Sequence, residues 1–598
     1  MSKAFVSSAR VRFMGVCVAA AFAVVLGRLA YLHVWQHAEL ARAAETTRQV
    51  VHTLDSRRGN VVDARGNLMA TSHTAWTLGV DPQSAEPEKD RGKIGELAAL
   101  IDRPEAEVRR AFATKTRPNG EGLPGVRRIK WVPLAEGLGE ATYEAVMALG
   151  IAGVYGNEAY RRVYPGGETA AHVLGYVNKA GTAVTGAERL FDYYLRGQDG
   201  WRETERDGAR REVARFRERE VAPANGLNVE LTLHQMVQHF AEREIDRLVR
   251  EYRPAGVSVI VSEPTTGEIL ALANHPTYDP NAFFKTDQYP VANQRNRAIT
   301  DIFEPGSTFK IVTAAAALNE RIVAPSDRFR TDVSRVRYRG RTVRLPEDHG
   351  DEDALSVREI VIQSSNRGAA RLGMMLGPRR LREYAAAFGY GRRTGLGMGG
   401  EVSGTLHPVS EWDGLTITRM PVGYAVGATP LQVHGATSVI ANGGILMEPR
   451  IARRIFDASG ETVLRFRPDA KRRVVDASVA ETVAGILERV ASPEGTAEKA
   501  SIDGYRVAGK TGTTKKLVDG RYSSRHHVAS FTGFFPAERP ALVITVVVDD
   551  PRLEGVGYGG RVAAPAFRNI AKACVGYLGI RRTGPGEPLF TWEGARND

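Results

Sequence analysis

"EPGSTFKIVTAAAALNE", Glu304–Glu320, sets a charged side chain at the mouth of a run that is otherwise almost wholly apolar (Ile311, Val312, Ala314 to Leu318). Such a run reads as a buried helix, and a lone ammonium there costs several kcal/mol unless it is paired or used. Lys310 follows Ser307 by three residues, so in a helix the two side chains share one face. The Pro305–Gly306 break puts Ser307 in the first turn, where free backbone N–H groups and the helix dipole favour negative charge on its oxygen. A serine hydroxyl becomes a nucleophile when a neighbouring base takes its proton. A lysine becomes such a base when burial and nearby cations lower its pKa. Spacing alone leaves open the alternative, a chance Ser-x-x-Lys in a long chain.

Two later strings bear on that alternative. "QSSNRG" supplies Ser364-Ser365-Asn366, and "VAGKTGTT" supplies Lys510-Thr511-Gly512-Thr513. Taken singly, an S-x-N is a turn or helix start and a K-T-G is an ordinary strand edge. In this order the three form the signature set of penicillin-binding proteins and serine β-lactamases.

The flanking sequence narrows the resemblance. "NRAITDIFEPGSTFK", "TGEILALANHPTYDPN", "GYAVGATPLQVHGATSVIANGG", "ASFTGFFP" and "YGGRVAAPAF" resemble a class B penicillin-binding protein. "RRGNVVDARGN" and "YRRVYPGGETAAHVLGYV" with "GAERLFDYYLRG" resemble the non-catalytic pedestal of that class. The likeness covers residues 13 to 580, and nothing before residue 225 resembles the glycosyltransferase module of class A enzymes. Glu304, the overall length and the absence of appended C-terminal repeats resemble the division-specific member, since elongation-specific relatives often carry proline at the position of Glu304. Three positions depart from the commonest pattern: His234 for aspartate, Glu263 for aspartate or asparagine, and Arg367 after the S-x-N, which alters the charge near the cleft.

The resemblance implies a D,D-transpeptidase acting on peptidoglycan stem peptides that end in D-Ala–D-Ala, inhibited by β-lactams and needing no metal or cofactor. Ser307 is then the nucleophile and Lys310 its base. Ser364 and Lys510 relay the proton to the leaving nitrogen, and Asn366 anchors Lys310 and the substrate amide. Thr511, Gly512 and Thr513 form the substrate-binding strand, with the backbone N–H of Thr513 joining that of Ser307 around the oxyanion. The rival readings are an elongation-type transpeptidase, a D,D-carboxypeptidase or β-lactamase that only hydrolyses, and a β-lactam receptor without turnover. A receptor needs a cytoplasmic output module, for which the twelve residues before the apolar run leave little room.

The rest of the chain bounds these expectations. Its 598 residues exceed one domain, and an apolar fraction of 43% with 25% charged residues is ordinary for folded protein. The formal charge of +12 comes without a long single-sign block, so no nucleic-acid partner is expected. Cys17 and Cys574 lie at opposite ends, which argues against a disulfide between them, and no spacing suggests zinc. "FMGVCVAAAFAVVLGRLAYLHVW", Phe13–Trp35, would rise about 34 Å as a helix, enough for a bilayer core of about 30 Å. Lys3, Arg10 and Arg12 before it favour a cytoplasmic N-terminus. A cleaved signal peptide with its site at Ala41–Ala43 is the alternative, although that site lies far beyond the uncharged run. Arg28 is an intramembrane charge that either snorkels to the outer headgroups or meets a partner within the membrane, a candidate contact for a membrane-embedded glycan polymerase among other divisome partners.

The expected organisation is a cytoplasmic tail (1–12), a single transmembrane helix (13–35), a pedestal (36–222), a transpeptidase domain (223–580) and a disordered tail (581–598). The expected localisation is the inner (plasma) membrane, with the catalytic domain outside the cytoplasm and at the septum. Strands first, a helical middle, then strands and a closing helix predict an α/β (α+β) fold. It combines a mixed α+β pedestal with an antiparallel sheet covered by helices on both faces.

Overall fold

The computed structural model describes residues 8–40, 49–118, 126–205, 219–348, 350, 352–553 and 555–582. It divides into two compact units, Met1–Arg57 with Gly197–Asn225, and Arg58–Arg196 with Gly226–Asp598. The start of the expected cytoplasmic tail, the Ala41–Ala43 cleavage candidate and the tail beyond Arg582 lie outside the described residues.

In the first unit a helix runs Ser8–Ala30 and continues as a π-helical turn, Tyr31–Trp35. An 18-residue window within these 28 residues has a mean hydropathy of 2.1 and none of it is buried, so the helix is long and apolar enough to cross a membrane. Arg28 lies along it, its guanidinium 5.3 Å from the Tyr31 ring centre. The same unit holds a three-stranded antiparallel sheet with Gly200–Glu205 between Gln49–Leu54 and Arg219–Val221.

The second unit contains two larger sheets. Upstream, the strand Leu68–Val80 pairs with Val154–Val163 and Val132–Leu138. Helices Arg91–Leu100, Glu105–Ala113 and Glu140–Ala148 close its far end over a small core of Leu78, Leu97, Phe112 and Val146. Its near end pairs with Val61–Val62, which runs parallel to Asn228–Leu231, and that strand pairs with Ala452–Phe456. One seven-stranded sheet thereby joins three distant parts of the chain. Beside it Glu188, 0% exposed, accepts Arg58 at 2.7 Å on one oxygen and Arg162 at 2.6 Å on the other.

The second sheet organises the rest. In chain order its elements are α1 (Gln235–Tyr252), β1 (Gly256–Ser262), β2 (Ile269–His275), α2 (Lys310–Asn319), α3 (Asn366–Ala387), α4 (Pro430–Ala441), α5 (Ala477–Val490), β3 (Ala508–Val518), β4 (Arg521–Phe535), β5 (Leu542–Asp549) and α6 (Gly559–Leu578). The strand order is β2-β1-β5-β4-β3, antiparallel throughout. Every residue of β1 is buried, as its near-continuous apolar run requires. Alternation along β4 shows that both faces are covered. Phe531 and Phe535 meet Phe567 of α6 at 4.9 and 6.2 Å, while Thr532 bonds Thr437 of α4 at 3.0 Å. The implied α+β fold, with its antiparallel sheet between helical layers, is therefore present. β3 is left as an edge strand, and α2 is buried from Lys310 to Leu318.

Candidate active site

Ser307 lies in a 3-10 turn, Gly306–Phe309, that feeds directly into α2, so the i, i+3 relation to Lys310 is kept in a tighter helix than an α-turn. Three segments interlock around this turn. Gly306 has φ 56°, and a Cβ there would come within 2.4 Å of Thr514 Cγ2. Gly423, at φ 86°, accepts the Gly306 N–H at 3.1 Å, and a Cβ on it would lie 2.0 Å from the Gly306 oxygen. Glu304 accepts the Ala425 N–H at 2.9 Å and the Tyr522 hydroxyl at 3.0 Å, which ties the turn to the start of β4.

Lys310, 1% exposed, donates to Asn366 Oδ1 at 2.8 Å, to Ser364 Oγ at 3.2 Å and to the Ser364 carbonyl. Lys510, 0% exposed, donates to the same Ser364 Oγ at 3.0 Å. Ser364 has φ 63°, a left-handed conformation uncommon for serine and characteristic of functional turns. Lys310, Ser364, Asn366 and Lys510 are thus one hydrogen-bonded chain. Ser307 is half-buried one turn before Lys310, and the amines converge on Ser364 rather than on the Ser307 hydroxyl.

Burial drives both amines toward neutrality. Desolvation brings Lys510 down to about 7. Desolvation first, and then the charge of Lys510, hold Lys310 well below the ordinary lysine range, while Asp348 pulls the other way. Asp348 is a residue that sequence reasoning missed. Its carboxylate accepts the backbone N–H groups of Asn366 at 2.9 Å and Arg367 at 3.2 Å, and the Ser365 hydroxyl. It therefore caps α3, whose first residue is Asn366.

Thr511 and Thr513 share one face of β3, opposite to Lys510 and Gly512. Thr511 Oγ1 lies 2.8 Å from Thr496 Oγ1 and 3.3 Å from Lys510 Nζ. Thr513 Oγ1 accepts the N–H of Gly559, the first residue of α6, at 3.0 Å. Gly512 is bare of necessity, because a Cβ would lie 2.3 Å from Ser530 Oγ and 3.0 Å from the Pro305 oxygen. Of the departing positions, Arg367 turns its Nη1 to the carbonyls of Thr331 and Asp332, at 2.8 and 3.2 Å. His234 stands before α1 against the Tyr577 ring, and Glu263 is held by Thr266 in the turn after β1.

Residues 257–572 match the penicillin binding protein transpeptidase domain, and residues 53–231 match the penicillin-binding protein dimerisation domain. Stage V sporulation protein D of Bacillus subtilis is 32% identical over 96% of this chain and 86% of its own length. The peptidoglycan D,D-transpeptidase FtsI of Escherichia coli is 30% identical over 97% of this chain and 93% of its own. A peptidoglycan synthetase structure from Bifidobacterium adolescentis superposes with a TM-score of 0.70 at 25% identity, covering 91% of this chain and 100% of that one. Penicillin binding protein 3 from Mycobacterium tuberculosis, complexed with aztreonam, gives 0.67 at 26% identity, covering 90% and 99%. The chain therefore belongs to the class B penicillin-binding proteins, the peptidoglycan D,D-transpeptidases.

Proposed function

We propose that this transpeptidase cross-links septal peptidoglycan through an acyl-enzyme on Ser307. Ser307 Oγ attacks the carbonyl carbon of the penultimate D-Ala, and its proton passes to neutral Lys310. The oxyanion rests on the backbone N–H groups of Ser307 and Thr513, at ~3 kcal/mol per donor. Collapse breaks the peptide bond as Ser364 hands a proton, replaced from Lys510, to the departing D-Ala nitrogen. An amine of a neighbouring stem then attacks the ester, forms the cross-link and returns a proton to Ser307. Asn366 holds Lys310 and the substrate amide, while Thr511, Gly512 and Thr513, with Lys510 close by, receive the terminal carboxylate. β-Lactams acylate Ser307 in the same way. The observation that carries this reading is the pair of buried, depressed amines sharing Ser364 Oγ.

The septal role rests on Glu304 and on the likeness to the Escherichia coli FtsI. The span Phe13–Trp35 anchors the chain with its N-terminus in the cytoplasm. Residues 36–222 serve as the pedestal and 223–580 as the transpeptidase domain. Arg28 and the span dock a membrane-embedded glycan polymerase, and Arg28→Leu is expected to weaken that association. The decisive experiment labels wild type and Ser307→Ala with fluorescent penicillin and maps the modified peptide. Adduct on another serine overturns the assignment. With a D-Ala–D-Ala peptide offered alone and beside an acceptor amine, hydrolysis as the only product in both cases overturns the cross-linking role.

A further inference from the structure

Val333–Leu345 contains five arginines and no acidic residue. It folds as a hairpin in which Arg335–Tyr338 pairs with Arg341–Arg344 across a tight turn at Arg339 and Gly340, φ 49° and 81°. Among the described residues the hairpin joins no larger sheet. Val336, Tyr338 and Val343 are half-buried, and Tyr338 packs against the main core. Arg335, Arg337 and Arg344 are exposed. Arg335 stands directly opposite Arg344, an arrangement that destabilises a strand pair.

Counter-charges are scarce. Arg344 reaches Glu347 at 3.5 Å with both side chains largely exposed, and Arg339 lies over the Tyr338 ring. Arg335, Arg337 and Arg341 pair with no carboxylate among the described residues. A two-stranded hairpin is marginal by itself, and this one also carries a repulsion that a bound polyanion would remove. Its roots are tied to the catalytic helix. Arg367, in the first turn of α3, holds the carbonyls of Thr331 and Asp332 just before the hairpin. Asp348, three residues after Leu345, caps the N-terminus that presents Asn366.

We propose that the hairpin Arg335–Arg344 is a docking surface for the carboxylate-bearing stem peptides of a peptidoglycan strand, steering the polymer toward the Ser307 site. The substrate class rests on the function proposed above, and the docking role is new to this hairpin. Guanidinium forks match carboxylates two bonds at a time. Each exposed contact is weak and screened by salt, so useful affinity requires a polymer that meets several arginines together.

The test is co-sedimentation of the full chain, in detergent, with insoluble peptidoglycan. Wild-type binding should fall about ten-fold or more between about 0.05 and 0.5 M salt. Arg335→Glu/Arg337→Glu should lose binding by a similar factor while fluorescent penicillin still acylates Ser307 at the wild-type rate. Arg335→Gln/Arg337→Gln/Arg344→Gln should also lose binding with Tm unchanged or raised, because it removes repulsion without adding charge. Wild-type sedimentation by both variants overturns the proposal. Failure of the Ser307 reading shows separately, as an adduct on a different serine.

Discussion

Lys310 and Lys510 give up the hydration of two ammonium groups and receive in return two hydroxyls, those of Ser364 and Thr511, an amide oxygen and backbone carbonyls. With no carboxylate in direct contact among the described residues, the charged forms are under-compensated, and that shortage makes a base available near neutrality. Penicillin acylation of Ser307 is therefore expected to be bell-shaped in pH, declining on the acid side, where Lys310 takes up its proton, and again above about 7, where Lys510 loses the proton it relays through Ser364. The pair titrates jointly, so each limb belongs to both amines. A stopped-flow profile that stays low until the ordinary lysine range near 10.5 would contradict this. The sign also fixes stability: between about 7 and 10.5 the unfolded chain holds protons that the folded one lacks, so stability should rise with pH across that window. Asp348 opposes the depression of Lys310, and Asp348→Asn should move the acid limb to lower pH. The same change weakens the cap of α3 at a cost of ~1 kcal/mol, read by urea titration. The three strings about Ser307, Ser364 and Lys510, which the fold brings together, were legible because each is local in sequence. Asp348 was not, because it acts through backbone N–H groups eighteen and nineteen residues away, from a loop without periodicity.

Elements were most legible where burial imposes a pattern. The β-branched runs about Pro264–Gly267 became β1 and β2, and "ALVITVVVDD" became β5, because strands buried on both faces read as continuous apolar runs. The amphipathic run from Gln235 became α1. What the pattern did not carry is the close contact between elements. Gly423 looks like an ordinary loop glycine in sequence, yet it sits at φ 86° with its Cα against the carbonyl of Gly306. Gly423→Ala adds left-handed strain and an impossible 2.0 Å contact, so the turn holding Ser307 must shift. A shift of about 1 Å at a nucleophile costs on the order of 100-fold in rate. Gly423→Ala is expected to lose about that much in penicillin acylation while circular dichroism remains that of a folded protein, whereas Gly399→Ala, with nothing within 4 Å of the added Cβ, should acylate normally.

At the scale of the molecule, the sequence read residues 36–222 and 223–580 as successive modules, and the hydrogen bonding runs across that division. Val61–Val62 pairs with Asn228–Leu231, which pairs with Ala452–Phe456, so a single sheet contains strands from upstream and downstream of residue 223. Two- to five-residue strands from such distant places leave little periodicity to read, which is why this sheet was invisible beforehand. It makes the upstream ion cluster relevant to the enzyme as a whole. Glu188 neutralises Arg58 and Arg162 in a fully buried position, and Arg162 also bonds the Gly59 carbonyl at 2.7 Å, two residues before the shared strand. Glu188→Ala strands the buried guanidinium of Arg162 and leaves Arg58 only Asp192, at 2.6 Å, a change that typically costs ~3–5 kcal/mol. Urea melts of wild type and variant, followed both by far-ultraviolet circular dichroism and by residual penicillin acylation, test the coupling. If the shared sheet transmits stability, both midpoints fall together in the variant. If the upstream part melts while acylation keeps its wild-type midpoint, the two halves are independent folding units despite the strands they share.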